Sequence, residues 1–363
     1  MCNKKPKNKI AIVAGGTGGH VFPALCIADR LALEGIDVLF VTDRRGDRYL
    51  GSFGGRKIVQ NIDTSTRIKL YGSLVLYFIR SIICLLRNRV DCVIGFGGYP
   101  SAPFVLAAQV LRIKTIIHEQ NALLGRANRL LSILARKILI SFPDTKHLKV
   151  SERNIITGNP TRFEKTYIKS FPKRNTKMFT ILIIGGSQGA RVFSEVIPDS
   201  ICELAKEYCL NIIEQCKSSD IDAIREKYDA IGIDYVVAPF FEDIGRLYAE
   251  ADLVISRAGA SSIFEIIGFQ KPAILIPFSR SVNGDQMANA QFLANEGAAI
   301  IIEERGLNRG TLTASVKKII TDHDQRERLS QRLGQLKISE ATANVIEVVM
   351  KELAGAPGFE PGK

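Results

Sequence analysis

The chain has 363 residues, 46% hydrophobic and 24% charged, the composition of a soluble globular protein and not of a disordered or membrane-spanning one, and provides enough chain for two hydrophobic cores. Its formal charge is +12, but residues 1–162 hold 25 Lys and Arg against 10 Asp and Glu, while the remainder holds 24 against 27. The surplus belongs to the first half, whose partner is anionic: nucleic acid, anionic lipid or a phosphorylated substrate.

Met1 to Lys9 is basic, yet a strand and a Gly-rich turn follow it instead of the apolar stretch and small-residue cleavage site of a signal peptide, so the chain is expected to stay in the cytoplasm. The chain then reads as a strand (Ile10 to Ala14), a turn (Gly15 to Gly19), a helix (Phe22 to Leu33, with Pro23 in its first turn) and a strand (Val38 to Thr42). That is a β-loop-α-β unit. The segment Arg67 to Arg89 carries an apolar run, Leu74 to Ile79, far shorter than the ~20 residues a membrane crossing needs. Two readings stand for it. One is an interfacial helix, with Leu74, Phe78 and Leu85 in the headgroup boundary and Lys69, Arg80, Arg87 and Arg89 reaching anionic lipid; the other is a core helix packed on a sheet. Apolar runs at Cys92 to Gly95, Thr115 to His118 and Lys137 to Ser141 fit buried parallel strands, making the first half doubly wound α/β.

Residues 163–177, Lys-rich and containing Pro172, read as a linker. The pattern restarts with a strand at Thr180 to Ile184, the turn Gly185-Gly186-Ser187-Gln188-Gly189 and a helix from Arg191. Further strands are expected at Ile212 to Gln215, Tyr235 to Ala238, Leu253 to Ser256, Ala273 to Ile276 and Ala298 to Ile302. The domains are therefore 1–162 and 178–340, with a terminal helix at 341–354 expected to pack back on the first, and a Gly/Pro tail at 355–363 without regular structure. The seven cysteines are odd in number and contain no C-x-x-C pair, so they read as reduced thiols; the seven-residue spacing of Cys202, Cys209 and Cys216 suggests one helix face, too widely spaced for a metal site.

The Gly15-Gly16-Thr17-Gly18-Gly19-His20 turn lets backbone N–H groups and a helix N-terminus approach a phosphate. Val21 stands where the dinucleotide fingerprint needs its third glycine, and the Walker Lys is absent. His20 is either a general base for an attacking hydroxyl or a cap or core histidine. In the second half, Ser187 and the Gly259-Ala260 amides can hold a diphosphate without a metal, and Glu265 either accepts the ribose hydroxyls or is a carboxylate drawn to the first turn of a helix.

Six ordered blocks carry a resemblance: residues 15–20, Gly97-Gly98-Tyr99, His118-Glu119-Gln120-Asn121, Gly158-Asn159-Pro160-Thr161-Arg162, residues 185–189 and Arg257-Ala258-Gly259-Ala260. Over residues 8 to 350 the chain resembles the MurG family of N-acetylglucosaminyltransferases. The resemblance implies a GT-B fold, two Rossmann-like domains whose parallel sheets face each other across a deep cleft. It also implies an inverting, metal-independent transfer, without cofactor, from UDP-N-acetylglucosamine to the C4 hydroxyl of an undecaprenyl-diphosphate-linked muramoyl-pentapeptide. On the donor side it places Thr17, Gly18, Gly19, Arg162, Ser187, Gln188, Gly189, Phe241 (whose backbone meets the uracil), Arg257, Gly259, Ala260, Glu265 and Gln286. On the acceptor side it places Tyr99 and Asn121, with His20 as base. Asp285 departs from the family pattern, which has a second glutamine there. The expected setting is the cytoplasmic face of the inner membrane, on anionic lipid and beside cell-wall synthesis and division proteins.

Two rivals are weighed against this. An NAD-dependent oxidoreductase would use Asp43, at the end of the second strand, as its ribose-binding acid, but lacks the third glycine. A nucleic-acid-binding protein would explain the basic half, but no aromatic-rich stripe accompanies it.

Overall fold

Short aliphatic runs form the strands of two separate sheets, in which every paired strand is parallel to its neighbour. The computed structural model describes residues 8–51, 53–61, 67–98, 100–163, 168, 171, 178–185, 191–281, 284–336 and 340–354. The chain divides into two units, Met1–Arg162 with Glu340–Lys363, and Phe163–Ser339.

The first unit contains β1 (Lys9–Val13), β2 (Asp37–Asp43), β3 (Arg56–Gln60), β4 (Cys92–Gly95), β5 (Lys114–Glu119), β6 (Lys137–Ile140) and β7 (Asn154–Ile156), in the spatial order β3-β2-β1-β4-β5-β6-β7. Parallel neighbours require crossovers, and α1 (Gly18–Leu33), α3 (Arg67–Asn88), α4 (Ser101–Val110) and α5 (Arg126–Leu131) lie in them, with the short α2 (Arg44–Asp47) after β2. Strand alternation sorts the core into two layers. Ile10, Ile12, Phe40 and Ile94 face α1 on one side, whereas Ala11, Val13, Leu39 and Val93 pack with Phe104, Val105 and Ala108 of α4 on the other. Edge strands β3 and β7 add to those the sequence suggested; Arg56, Lys57 and Val59 are solvent-exposed, so no apolar run marks β3.

Two expectations about helices are corrected. Helix α1 begins at Gly18, four residues before the expected start, so His20 lies in its first turn and Pro23 in its second, where the missing N–H leaves the Gly19 carbonyl without its usual helical donor. On α3, Tyr77, Ser81 and Leu85 are buried at a spacing of four, and Phe78 packs on the core beside them. Leu85 and Phe78 are therefore core residues. Among the described side chains of α3, the exposed apolar ones are Val75, Leu76, Ile79, Ile83 and Leu86. Arg80, Arg87 and Arg89 are also exposed, and the Lys69 side chain lies outside those described.

The terminal helix α13, Ala341–Ala354, packs on α1 and contributes Val345, Ile346, Val349 and Leu353 to the first unit's core. Asn344 Nδ2 donates to the Thr157 carbonyl at 3.2 Å, Lys114 Nζ donates to the Glu352 carbonyl at 2.6 Å, and Arg136 pairs with the Glu352 carboxylate.

The second unit has β8 (Phe179–Ile184), β9 (Leu210–Gln215), β10 (Asp234–Ala238), β11 (Leu253–Ser256), β12 (Ala273–Leu275) and β13 (Ile300–Ile301), in the order β10-β9-β8-β11-β12-β13. Its helices are α6 (Arg191–Leu204), α7 (Ile221–Asp229), α8 (Ile244–Glu250), α9 (Ala260–Phe269), α10 (Asp285–Asn295), α11 (Arg309–Thr321) and α12 (His323–Gln335). Ile181, Ile183, Ile212 and Ile255 form one core layer with Phe193 and Ile197 of α6, Tyr228 of α7 and Leu312 of α11. Cys202 lies on α6, Cys209 just before β9 and Cys216 just after it, so the three share no helix face. Among the described residues no cluster of His, Cys, Asp or Glu could hold a metal, and no helix is long and apolar enough to cross a membrane.

Candidate active site

In a doubly wound sheet the ligand crevice lies beyond the carboxyl ends of the strands where the order reverses. In the first unit that point falls between β1 and β4. The turn leaving β1 and the turn leaving β4 touch there backbone to backbone: a Cβ on Gly98 would stand 2.5 Å from the Gly15 carbonyl oxygen, and one on Gly15 would stand 2.5 Å from Pro100 Cγ. Gly16, Gly97 and Gly98 hold φ of +88°, +96° and +82°, a region other residues enter only with strain. Ser101 ties the pair, its hydroxyl 2.8 Å from the carbonyls of Val13 and Gly97 and accepting from Gly97 N at 3.1 Å.

His20 stands over this junction. The Thr17 hydroxyl lies 3.4 Å from its Nδ1, and a Cβ on Gly97 would come within 3.2 Å of its Nε2, so the bare glycine makes room for the ring. Thr17 is the N-cap of α1 without a side-chain cap bond, and Gly18 and Gly19 open the helix; the first-turn amides point their dipole toward the switch point. Arg162 belongs to the same unit, its guanidinium 4.5 Å over the Phe22 ring of α1.

The His118 to Asn121 block straddles the end of β5, with His118 and Glu119 its last two residues. Burial lowers the His118 imidazole to about 4 despite the carbonyl of Gly158 3.0 Å from Nε2, so it is neutral at physiological pH, stacked on Phe96 and bonded to Gln120. Glu119 is buried and accepts from the Asn121 and Gly125 amides and from Asn128 Nδ2, at 3.1, 2.9 and 2.9 Å. Only Asn121, half-buried at the loop's start, remains a candidate to meet a ligand. Tyr99 lies outside the described residues, as do Ser187, Gln188 and Gly189.

In the second unit the order reverses between β8 and β11. Gly259 caps α9 in extended geometry with open space around its Cβ position, and Ala260 is the first helical residue. Glu265 is the sixth residue of α9, one turn beyond where the dipole alone would draw a carboxylate. Arg257 is 7% exposed and turned inward. Its guanidinium donates to the Ile276 carbonyl at 3.0 Å and to Glu304 at 2.7 Å, between the rings of Phe193 and Phe278. Burial pushes the Glu304 carboxyl up, but hydrogen bonds from Ser279 and Arg257 outweigh it and hold it below the usual range. Helix α10 is pinned to the same turn by buried Asn289, whose amide donates to the Ala258 carbonyl at 3.0 Å. Gln286 accepts from Phe278 N at 2.9 Å, so its side chain supports the loop that follows β12. Phe241 lines a groove of about 360 Å³ over Ile213 and Val236, rimmed by Glu242 and Arg246.

Residues 10–140 match the glycosyltransferase family 28 N-terminal domain and residues 180–345 the glycosyltransferase family 28 C-terminal domain. The chain belongs to glycosyltransferase family 28. Within family 28 its relatives include proteins called UDP-N-acetylglucosamine–N-acetylmuramyl-(pentapeptide) pyrophosphoryl-undecaprenol N-acetylglucosamine transferase. That of Paramagnetospirillum magneticum is 36% identical over 98% of this chain and 100% of its own length, and that of Granulibacter bethesdensis 33% identical over 97% and 96%. The crystal structure of Acinetobacter baumannii MurG superposes with a TM-score of 0.80 at 29% identity, covering 95% of this chain and 99% of the other. With two doubly wound units, the family 28 chain has the GT-B fold the motifs implied.

Sequence reasoning assigned no supporting roles at this family 28 site, naming Asp43 only as a rival's ribose-binding acid and Glu119 only within a motif block. Asp43, Ser101, Glu119, Asn289 and Glu304 each bond a turn that carries a candidate residue. Asn289 had a readable signal, since it sits between Ala288 and Ala290 and four residues before Leu293, on the apolar side of its helix. Glu304 had none, because its partner lies 47 residues away.

Proposed function

We propose that the chain transfers N-acetylglucosamine from UDP-N-acetylglucosamine to the C4 hydroxyl of the muramoyl-pentapeptide carried on undecaprenyl diphosphate, with inversion at the anomeric carbon. Lipid I is converted to lipid II, a step of peptidoglycan synthesis. The observation that carries this reading is the end-to-end match to N-acetylglucosamine transferases, joined to a histidine standing at a switch point. With its Nδ1–H donated to the Thr17 hydroxyl, His20 presents the Nε2 lone pair to the acceptor hydroxyl and takes its proton as the new bond forms. Asn121 and Tyr99 hold the acceptor.

The donor is held by the second unit: Glu265 takes the ribose hydroxyls, the Phe241 backbone the uracil, and Gly259 and Ala260 with Ser187, Gln188 and Gly189 the diphosphate, while Gln286 stands near the sugar. Charge gathering on departing UDP is met by amides at helix N-termini and by Arg162, without a metal. Arg257, with its guanidinium turned to Glu304 and Ile276, shapes the turn from behind. Thr17, Gly18 and Gly19 direct the N-terminal dipole of α1 at the reacting groups.

The enzyme works at the cytoplasmic face of the inner membrane. Val75, Leu76, Ile79, Ile83 and Leu86 on the outer face of α3 enter the headgroup boundary beside Arg80, Arg87 and Arg89, where each basic residue contributes about 1 kcal/mol on anionic lipid. Cell-wall synthesis and division proteins are its natural neighbours there.

Labelled UDP-N-acetylglucosamine incubated with lipid I and the purified chain tests the reaction: a disaccharide lipid and UDP should appear. Absence of both, in a protein whose melting temperature rises with UDP, would reject this acceptor. A rise with NADH instead of UDP would reject the donor.

A further inference from the structure

Asp43 ends β2 and is 7% exposed. The position invites comparison with the ribose-binding acid of dinucleotide folds, but its hydrogen bonds run elsewhere. One carboxylate oxygen, Oδ1, accepts from Gly16 N at 2.9 Å and from Gly46 N at 2.8 Å; the other lies 3.3 Å from Arg45 Nε. The same Oδ1 stands 3.0 Å from the Cβ position of Gly15, so glycine there is what lets the carboxylate come this close. A single buried anion thus fastens the turn after β1 to the turn after β2. It holds Gly16 at a φ of +88°, immediately before the cap of α1.

Two consequences follow for the reaction. The Gly16 amide is spent on Asp43, so it is not among the donors this turn offers a substrate. The direction in which α1 starts, and with it the place of His20, is set by a bond made 27 residues away in sequence. We propose that Asp43 is a positioning residue of the transfer reaction, whose carboxylate fixes the Gly15-Gly16 turn so that His20 meets the acceptor hydroxyl. The inference rests on the transferase reading given above. It assigns Asp43 no contact with substrate.

The test compares wild type, Asp43→Ala and Asp43→Asn in three measurements on the full chain: steady-state transfer with both substrates varied, UDP affinity, and amide hydrogen exchange. Misplacing a reacting group by about 1 Å costs on the order of 10²-fold. Asp43→Ala should therefore lower kcat by roughly 30- to 100-fold, with the donor KM and the UDP Kd within about twofold of wild type, because Glu265, Phe241 and the Gly259-Ala260 amides, which hold UDP in this reading, belong to the second unit. Asp43→Asn keeps an acceptor oxygen for the two amides but sets an NH2 against Arg45, so it should recover most of the loss, to within roughly tenfold of wild type. Exchange should quicken across residues 14–22 and stay unchanged in the second unit. The proposal is overturned if kcat is unchanged in both variants, or if UDP affinity falls as far as kcat. Asparagine proving no better than alanine would also overturn it. If Asp43→Ala does not fold, the Asp43→Asn kinetics and exchange decide alone. Should wild type itself make no disaccharide lipid, the transferase reading fails, while exchange at residues 14–22 still reports whether Asp43 holds the turn.

Discussion

The two switch points are built from the same strand-turn-helix pattern but are supported by opposite charges. Val13 faces Val41 across β1 and β2, and Ile184 faces Gln215 across β8 and β9. Matching the two Gly-Gly turns sets Gly15 opposite Asp43 and Gly185 opposite Cys216. At the matching register position the first unit has a buried carboxylate and the second a buried thiol. The second unit's support comes from the far side: Arg257, with its charge answered by Glu304, and Asn289 under the turn after β11. The two switch points therefore differ in what they leave free. The first gives one amide to its own carboxylate, whereas the second keeps its cation bound inside and leaves open space around Gly259.

The largest expected effect falls on the first unit. His20→Ala should lower kcat by roughly 10²- to 10⁴-fold, the contribution of a positioned general base, while UDP affinity stays within about twofold. An equal loss of UDP binding would show that the units do not divide the labour as proposed. On the second unit, Arg257→Met leaves Glu304 partly buried without its cation, at a cost of roughly 3 kcal/mol in denaturant unfolding together with weaker UDP binding. Unchanged stability would mean that the pair does not support the turn.

A pH experiment sharpens the contrast further. Burial pushes the Glu214 carboxyl of β9 up to about 7, although a hydrogen bond from Tyr228 at 2.7 Å pulls it back. The folded chain holds this proton between the ordinary value of 4.5 and about 7, whereas the unfolded chain releases it. The contribution is full below pH 4.5 and is lost as pH rises through 7, on the order of 3 kcal/mol. Glu214→Gln should flatten that decline, and the difference between the two melting curves from pH 5 to 8 measures it. Parallel curves would assign the buried proton elsewhere. The smallest effect is on the surface: Ile79→Ser with Ile83→Ser should leave stability within about 0.5 kcal/mol but reduce co-sedimentation with anionic vesicles roughly tenfold. Phe78→Ser should do the reverse. Equal vesicle binding by the double variant would remove α3 as the docking face.

The strand-turn-helix order was legible because buried parallel strands are short aliphatic runs and glycine marks the turns between them. Edge strands β3 and β7 were not, since exposure on one side lets Arg56 and Lys57 stand where a buried strand would need Val or Ile. The start of α1 was misjudged because two glycines and a proline argue against a helix that the capping geometry nonetheless permits. On α3 the composition showed both an apolar and a basic character but not the rotation of the helix, which depends on where Tyr77, Ser81 and Leu85 meet the core. Candidate residues could be named from local motifs. Their supports could not, because a bond such as Gly16 to Asp43 or Arg257 to Glu304 joins positions that only the sheet order brings together.

Because α13 supplies Val345, Ile346, Val349 and Leu353 to the core of the first unit, that unit is not finished when its own strands have been made. A ribosome adds roughly 5 to 20 residues per second, so between Arg162 and Ala341 the nascent first unit waits on the order of ten to forty seconds with the apolar side of α1 uncovered. The second unit, continuous in sequence, meets no such delay. Synthesis order and folding order are thus inverted in this chain: the half that begins first closes last, and a stop codon a few residues before Ala341 would spare the second unit while leaving the first permanently open.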